Sequence, residues 1–515
     1  MSEAHMPSPV PTYEDILTNA QHLAPTSAPT AINGILEVAA SLDLTAVQRD
    51  HLLKLISAKT GTTKSALKAD LKQLTQQQQT KASDLGLMIA QKVLGTSYGK
   101  TGLKRCTDGS LWVFDKTHWR ETTEGQIRSV IQIEATAHLP FAGGKSLVSL
   151  VNSAHTCLID LLGTDMDVMG MADAPLPLIN CANGEVWIRP DGSPELKPHN
   201  PASRMTYCLP ISYDPEAVCP LFDQALLDIF AEASDPADVA RHWNEFTGYA
   251  IQPDRSIPSF WMLIGHGSNG KSMLLKTLER LVGPDAALND QIGTFSKDHF
   301  NAAALAGKLI LIDDDMAEGT TLPDGLLKKI SEAKTMSARH AYGRRKFNFV
   351  NRALPIMAGN SYPRTHDVSL GMFRRAQIFP FDHVFTKKEI NSALFPEIWA
   401  EEMPGVLNRA LEGLKRLVLR KGFEMPEACR AALEEFKTHA VPLMAFIEDR
   451  CIHDPDARLL LSQFREALKA WAHQQGVKQP VADKTLKRKL EGLGYKVSKV
   501  HGYPTIFGLD LTIPI

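Results

Sequence analysis

The chain contains no apolar run approaching the roughly eighteen residues that a membrane span needs, so no transmembrane helix is expected. Its first residues lack the basic start and apolar core of a secretory signal. Seven cysteines in 515 residues (Cys106, Cys157, Cys181, Cys208, Cys219, Cys429 and Cys451) include no C-x-x-C pair. Neither a disulfide framework nor a cysteine-paired zinc site is expected, and the usage fits a reducing compartment. Charge of one sign is not in excess either: 56 Lys and Arg stand against 58 Asp and Glu, a net charge of −2. Nothing pulls the whole surface toward nucleic acid, so any basic surface must be local. A cytoplasmic protein with no membrane partner is the expectation.

The chain is 44% hydrophobic with mixed charge, an ordinary globular composition long enough for about three or four domains. One stretch organises it, Phe260 to Gly283. Five apolar residues, Phe260 to Ile264, read as a strand buried on both faces. Gly265, His266, Gly267, Ser268, Asn269, Gly270, Lys271 and Ser272 follow and fit G-x-x-x-x-G-K-[ST], the phosphate-binding loop. A helix is then predicted, with Met273 the first of its apolar residues, ending at Gly283 and Pro284. Glycines there let backbone N–H groups close around phosphate, and the helix N-terminus adds its positive dipole end. Lys271 would reach the outer phosphates, and the Ser272 hydroxyl would help hold Mg²⁺. Nucleoside triphosphate binding is the prediction.

Residues 1–85 read as a flexible, Pro-, Ser- and Thr-rich leader and a small helical module. Amphipathic patterns run around Ile35–Ile56 and Lys64–Leu74, and Gln76–Gln79 reads as a polar linker. The module suggests docking or folding more than sequence-specific DNA binding. Residues 86–235 read as a mixed α+β domain. It has a hairpin about Asp108-Gly109 carrying Trp112 and Trp119, a second tight turn at Asn183-Gly184, and an apolar helix over Leu221–Ile229. Hairpin tryptophans can stack on bases but more often fill cores. No metal-ligand spacing or nucleophile–base pair stands out there.

Residues 236–385 read as the nucleotide-hydrolysing core. The apolar run Leu309–Ile312 ends in Asp313, Asp314 and Asp315, as a second nucleotide-site strand requires. One carboxylate holds Mg²⁺, usually through water, and a neighbour polarises the attacking water. Strand counting favours Asp313 and Asp314 for these roles. Residues 331–349 read as a hairpin turning at Tyr342-Gly343 with Arg339, His340, Arg344, Arg345 and Lys346 about its tip. Such a hairpin can grip a phosphate backbone, or it can simply be solvated. A short apolar strand ends at Asn360, whose amide can position the attacking water. Pro355 is awkward in a central strand and fits best at its first residue. Arg374 and Arg375 precede another apolar strand, where an arginine can reach a neighbouring subunit's nucleotide.

Residues 386–440 read as a helical connector, amphipathic over Leu407–Leu419. Residues 441–515 read as a winged helix: helices near Leu443–Cys451, Leu461–Gln474 and Asp483–Leu493, then a strand pair turning at Gly502. Lys484, Lys487, Arg488, Lys489, Lys496 and Lys499 stand against one acid, Glu491, and suit contact with a duplex backbone. The alternative is a solvated helix face that packs on the ATPase core.

In this order GHGSNGKS, LILIDDD, SARHAYGRRKFNF, PIMAGNSYP and FRRAQIFPF resemble a superfamily 3 helicase. The closer resemblance is to phage and plasmid primase-helicases related to the poxvirus primase-helicase NTPase. NCANGEVW, PHNP and YDPEAVCPLF are similar to recurring phrases of that family's preceding domain, so the likeness covers residues from about 90 to 515. It implies an α/β P-loop NTPase, AAA+-like, preceded by an α+β domain and followed by a winged helix. It implies a homo-hexameric ring that uses ATP and Mg²⁺ to translocate on single-stranded DNA and unwind forked DNA, in the cytosol of a bacterial host. Arg339, His340 and Lys346 would line the channel, Asn360 would be the sensor, and Arg375 more than Arg374 the arginine acting across subunits. The family's second motif commonly ends in Ser-Glu, which aligns with Asp314 and Asp315, so the water-activating acid stays open between those two. Longer members carry a primase domain upstream; about 85 residues cannot hold one, so helicase without primase is expected, with a separate primase or other replication proteins as partners. Two further classes remain: an origin-binding initiator whose ATPase is a loading switch, and an RNA-directed or assembly ATPase.

Overall fold

In a computed structural model of the chain, the described residues are 11–42, 44–99, 101–142, 145–163, 177–296, 301–339, 346–365, 367, 370–440, 442–474 and 483–512. They fall into two compact units, Met1–Asp115 with Arg120–Met169, and Lys116–Trp119 with Gly170–Ile515.

The first unit opens with α1 (Tyr13–Gln21), α2 (Pro29–Ser41), α3 (Ala46–Thr60) and α4 (Lys64–Ser97). Helices thus occupy much of the stretch read as a loose leader. Thr12 and Asp15 cap α1 reciprocally, as Thr45 and Gln48 cap α3, and Pro29 pre-sets φ at the start of α2. Ile16, Leu36, Leu52 and Ile56 then bury together with Leu67 of α4. The glutamine run expected as a linker lies inside α4, one continuous helix. Glutamine is a good helix former, and tertiary packing at both ends of α4 carries the helix across it. The far end of α4 contributes Ile89, Ala90 and Val93 to a second core. Its other walls are β1 (Leu103–Arg105), β2 (Leu111–Phe114), α5 (Glu124–His138) and α6 (Leu147–Leu162), with β3 (Trp119–Thr122) completing the sheet. Trp112 is half-buried; Trp119, which belongs to the second unit, is buried there and donates to the Pro201 carbonyl at 2.9 Å.

The second unit begins with an antiparallel sheet of β4 (Leu178–Cys181), β5 (Gly184–Ile188) and β6 (Pro194–Lys197), followed by α7 (Pro220–Ile229) and α8 (Pro236–Ala250). Then come β7 (Phe260–Ile264), α9 (Lys271–Val282), β8 (Ala287–Asn289), β9 (Ile310–Met316), α10 (Asp324–Ser331), β10 (Thr335–Ala338), β11 (Phe347–Val350), β12 (Leu354–Gly359), α11 (Leu370–Phe373) and β13 (Ala376–Pro380). Five of these strands form one parallel sheet in the order β13-β7-β12-β9-β8, while β10 and β11 pair as a separate antiparallel hairpin. The architecture is mixed α/β around that parallel sheet. All five residues of β7 are buried, as a strand covered on both faces requires. Pro355 is the second residue of β12, a central strand, not the first. It pairs with Leu311 on one side, but the ladder to β7 starts only at Ile356, so its missing N–H removes no bond there.

The helices α12 (Leu394–Glu397), α13 (Met403–Arg420) and α14 (Glu427–Ala440) follow the sheet. α13 lies close against α8: a Cβ on Gly413 would meet the Asn244 carbonyl oxygen at 2.1 Å, and one on Gly248 the Ala410 carbonyl oxygen at 2.2 Å. Across that contact Glu245, buried in α8, accepts from Arg416 at 3.0 Å and Arg420 at 2.6 Å. The Glu402 carboxylate caps α7 from 180 residues away, accepting from the backbone N–H of Leu221 at 3.0 Å and Phe222 at 2.9 Å. The tail contains α15 (Pro442–Arg450), β14 (Cys451–Leu460), α16 (Leu461–Gln474), α17 (Asp483–Gly492), β15 (Val497–Val500) and β16 (Tyr503–Leu511), with sheet order β14-β16-β15. The strand β14 had no sequence signal, because most of its residues are exposed on a sheet edge and Pro455 with two aspartates interrupts the apolar pattern.

Candidate functional site

Ligands of open parallel sheets bind in the crevice outside the carboxyl ends of the strands, where the strand order reverses. Here the chain leaves β7 for the β8 edge, returns through β9 and β12, and crosses to β13 on the other side. The register brings Pro380, Ile264 and Gly359 level at the ends of β13, β7 and β12, with Met316 of β9 beside Gly359. The 265–272 loop leaves the sheet at that level. Gly265 N–H donates to Gly359 O at 3.2 Å, and a Cβ on Gly265 would stand 2.2 Å from Phe381 O. The buried Asn269 side chain donates to that same carbonyl at 3.0 Å. Gly270, at φ +86°, opens the twelve-residue α9; Lys271 N–H donates to Asn269 Oδ1 at 3.4 Å and Met273 N–H to Gly270 O at 3.1 Å, which leaves Ser272 N–H of the first turn for another acceptor. His266, Gly267, Ser268 and Ser272 are exposed and Met273 is half-buried.

Lys271 is buried, and its ammonium donates to Gly265 O and to Asn269 Oδ1 at 3.3 Å. Burial lowers its pKa below the usual lysine range. No carboxylate is among its partners, so an anion entering the loop would supply the missing counter-charge.

The three aspartates separate. Asp313 Oδ2 accepts from Ile292 N–H at 3.0 Å, and burial raises its pKa. Asp313 pairs with Met357 and Met316 with Gly359, and the register shift between them leaves Asp314 and Asp315 in a bulge, both exposed. Asn360 directly follows β12, exposed, and lines a cavity of about 720 Å³ together with Gly265, His266, Glu318 and Arg364. Glu318 and Arg364 did not stand out from the sequence; each lies in a loop beyond an apolar strand, where only the fold brings it to the cavity.

Arg374 is exposed, and Arg375 is buried. The Arg375 guanidinium donates to Glu332 and to Gly371 O of its own chain. Arg339 and Lys346 sit at the ends of β10 and β11; His340, Arg344 and Arg345 lie outside the described residues.

In the tail the basic residues divide. Lys484 belongs to α17, with its side chain outside the described residues. Lys487 pairs with Glu491 at 3.7 Å, Arg488 and Lys499 are exposed, and Lys496 stands 5.6 Å from the Phe507 ring. Lys489 is half-buried instead. Burial lowers its pKa, opposed by the charges of Asp324 and Asp367.

Residues 91–231 match a family model described as D5 N terminal like, and residues 263–375 match one described as a family of unknown function, DUF5906. The first match is a likeness over residues 91–231 and does not single out superfamily 3. No curated protein matches the chain. Among solved structures, the A form apo structure of the NrS-1 C terminal region is 13% identical, with a TM-score of 0.44 over 81% of this chain and 98% of that one. Another apo structure of that region is 12% identical, with a TM-score of 0.44 over 82% and 99%. No helix among the described residues is long and apolar enough to cross a membrane.

Proposed function

We propose that this protein is an ATP-driven DNA helicase of phage or plasmid replication, with an AAA+-like superfamily 3 core working as a hexameric ring. One observation carries the reading. A buried lysine without a counter-charge and the glycine-opened N-terminus of α9 converge on a glycine loop at the switch point of a parallel sheet. Those residues fit a triphosphate, with the loop N–H groups and Lys271 binding its phosphates.

Ser272 and Asp314 are the residues that would hold Mg²⁺, which neutralises phosphate charge when bound with the nucleotide. Asp313 is engaged by Ile292, which favours Asp314 and Asp315 over it for metal and water. Asn360 orients the attacking water from the end of β12. The exposed Arg374 is free to reach a neighbouring subunit, whereas Arg375 must first leave Glu332. The β10–β11 hairpin, with Arg339 and Lys346, would contact single-stranded DNA. The tail, read as a winged helix, would contact duplex through Arg488, Lys496 and Lys499.

Equilibrium binding of ATP with and without Mg²⁺, comparing the wild type with Lys271→Ala, tests the base of the reading. Equal binding by both would remove it. An initiator that hydrolyses ATP without unwinding is the second reading, and strand displacement on forked DNA separates the two.

A further inference from the structure

We propose that Arg364 binds the terminal phosphate of the nucleotide held by its own subunit's 265–272 loop. This rests on the nucleotide reading above and deepens it, adding a cation in cis that no sequence motif indicates.

Arg364 follows β12 by five residues and lines the same cavity as Gly265, His266 and Asn360. Its backbone is fully used. Its N–H donates to Thr320 O at 2.8 Å, and its carbonyl accepts from Leu322 N–H at 2.8 Å. These bonds join the loop after β12 to the loop after β9. The next residue tightens the joint: Thr365 Oγ1 donates to Asp324 Oδ1 at 2.6 Å, and Thr365 N–H to Ala440 O at 2.9 Å. A loop pinned on both sides presents its side chain from a defined base, which a phosphate contact requires.

The guanidinium has no hydrogen-bond or ion-pair partner among the described residues, although Glu318 and Glu435 line the same cavity. Several other arginines of this unit are matched: Arg409 to Asp223, Arg416 to Glu245 and Arg375 to Glu332. Among the described residues Arg364 is also the only Lys or Arg lining the cavity, which carboxylates including Glu232, Asp382 and Glu427 line as well. A triphosphate reaching past the loop toward Asn360 would meet net negative charge there without it. Lys271 meets the phosphates from the inner part of the loop, where its ammonium is bonded to Gly265 O and Asn269 Oδ1. A guanidinium suits the remaining task, since it donates two parallel hydrogen bonds to phosphate oxygens and stays charged at any working pH.

The test uses the full chain with Mg²⁺, at a concentration where it is monomeric, so that residues of a neighbour contribute nothing. Binding of a non-hydrolysable ATP analogue and of ADP is compared for wild type, Arg364→Ala and Arg364→Lys. A charge-assisted contact to the third phosphate predicts that Arg364→Ala weakens analogue binding by about tenfold or more and ADP binding by less than about threefold. Arg364→Lys should fall between, and retained ADP binding shows that the variants are folded. Undiminished analogue binding by Arg364→Ala overturns the proposal. So does an equal loss for both nucleotides in both variants, which would mark Arg364 as a structural brace. A wild type that binds neither nucleotide more tightly than Lys271→Ala removes the underlying nucleotide reading, a result distinct from either of those.

Discussion

Arg375 at the foot of β13 donates to the carboxylate of Glu332, the C-cap of α10 and the third residue before β10 of the basic hairpin. Glu332 is held well ionised, first by its hydrogen bond to Lys334 and then by Arg375. One ion pair therefore ties the arginine strand to the root of the hairpin proposed to contact DNA.

The two adjacent arginines should respond differently. Arg375→Ala strips a charge-assisted partner from Glu332 and should destabilise the fold by about 1–3 kcal/mol, read by urea denaturation. Arg374→Ala, at an exposed site, should leave stability within about 0.5 kcal/mol and lower ATP turnover without weakening nucleotide binding. Equal stability losses in both variants would contradict this division.

Asp313 gives a pH signature. Its pKa is raised in the folded chain, so its ionisation opposes folding. The stability it contributes is complete below the ordinary carboxylate value near 3.8 and is lost as pH rises through the higher folded value. Asp313→Asn keeps an acceptor for Ile292 N–H and removes that charge. Its melting temperature at neutral pH should equal or exceed the wild type's, with ATP turnover largely kept. Asp314→Asn should fold normally and lose most Mg²⁺-dependent turnover. Loss of turnover only in Asp313→Asn would reverse the assignment.

The tail residues should separate in salt titrations of duplex DNA binding. Arg488→Ala and Lys499→Ala should each weaken binding and reduce the slope of log K against log salt by about one. Lys489→Ala should leave that slope unchanged, because Lys489 is half-buried and the carboxylates of Asp324 and Asp367 act on it within its own chain. A slope change in Lys489→Ala matching that of Arg488→Ala would show instead that α17 leaves the core to bind DNA.

Strand β7 and helix α9 were legible because each obeys a local rule. Five consecutive apolar residues mark a strand buried on both faces, and Gly270 and Gly283 bracket the helix. The hairpin strands β10 and β11 were equally plain from alternation. The triple aspartate was not resolvable by spacing, since the bulge between Asp313 and Met316 breaks the alternation on which strand counting depends. The Arg375–Glu332 pair and the meeting of Arg364 with Glu318 and Gly265 in one cavity join residues far apart in sequence, and no periodicity carries such information. The glutamine run misled because polarity was read as a linker, where two hydrophobic cores hold one helix across it.

Strand displacement on a forked DNA substrate tests the central claim most directly, with wild type and Lys271→Ala compared in the presence of ATP and Mg²⁺. The account predicts displacement by the wild type that needs both ATP and Mg²⁺, and none by the variant. ATP hydrolysis by the wild type without any strand displacement would contradict the motor and leave a switch ATPase in its place.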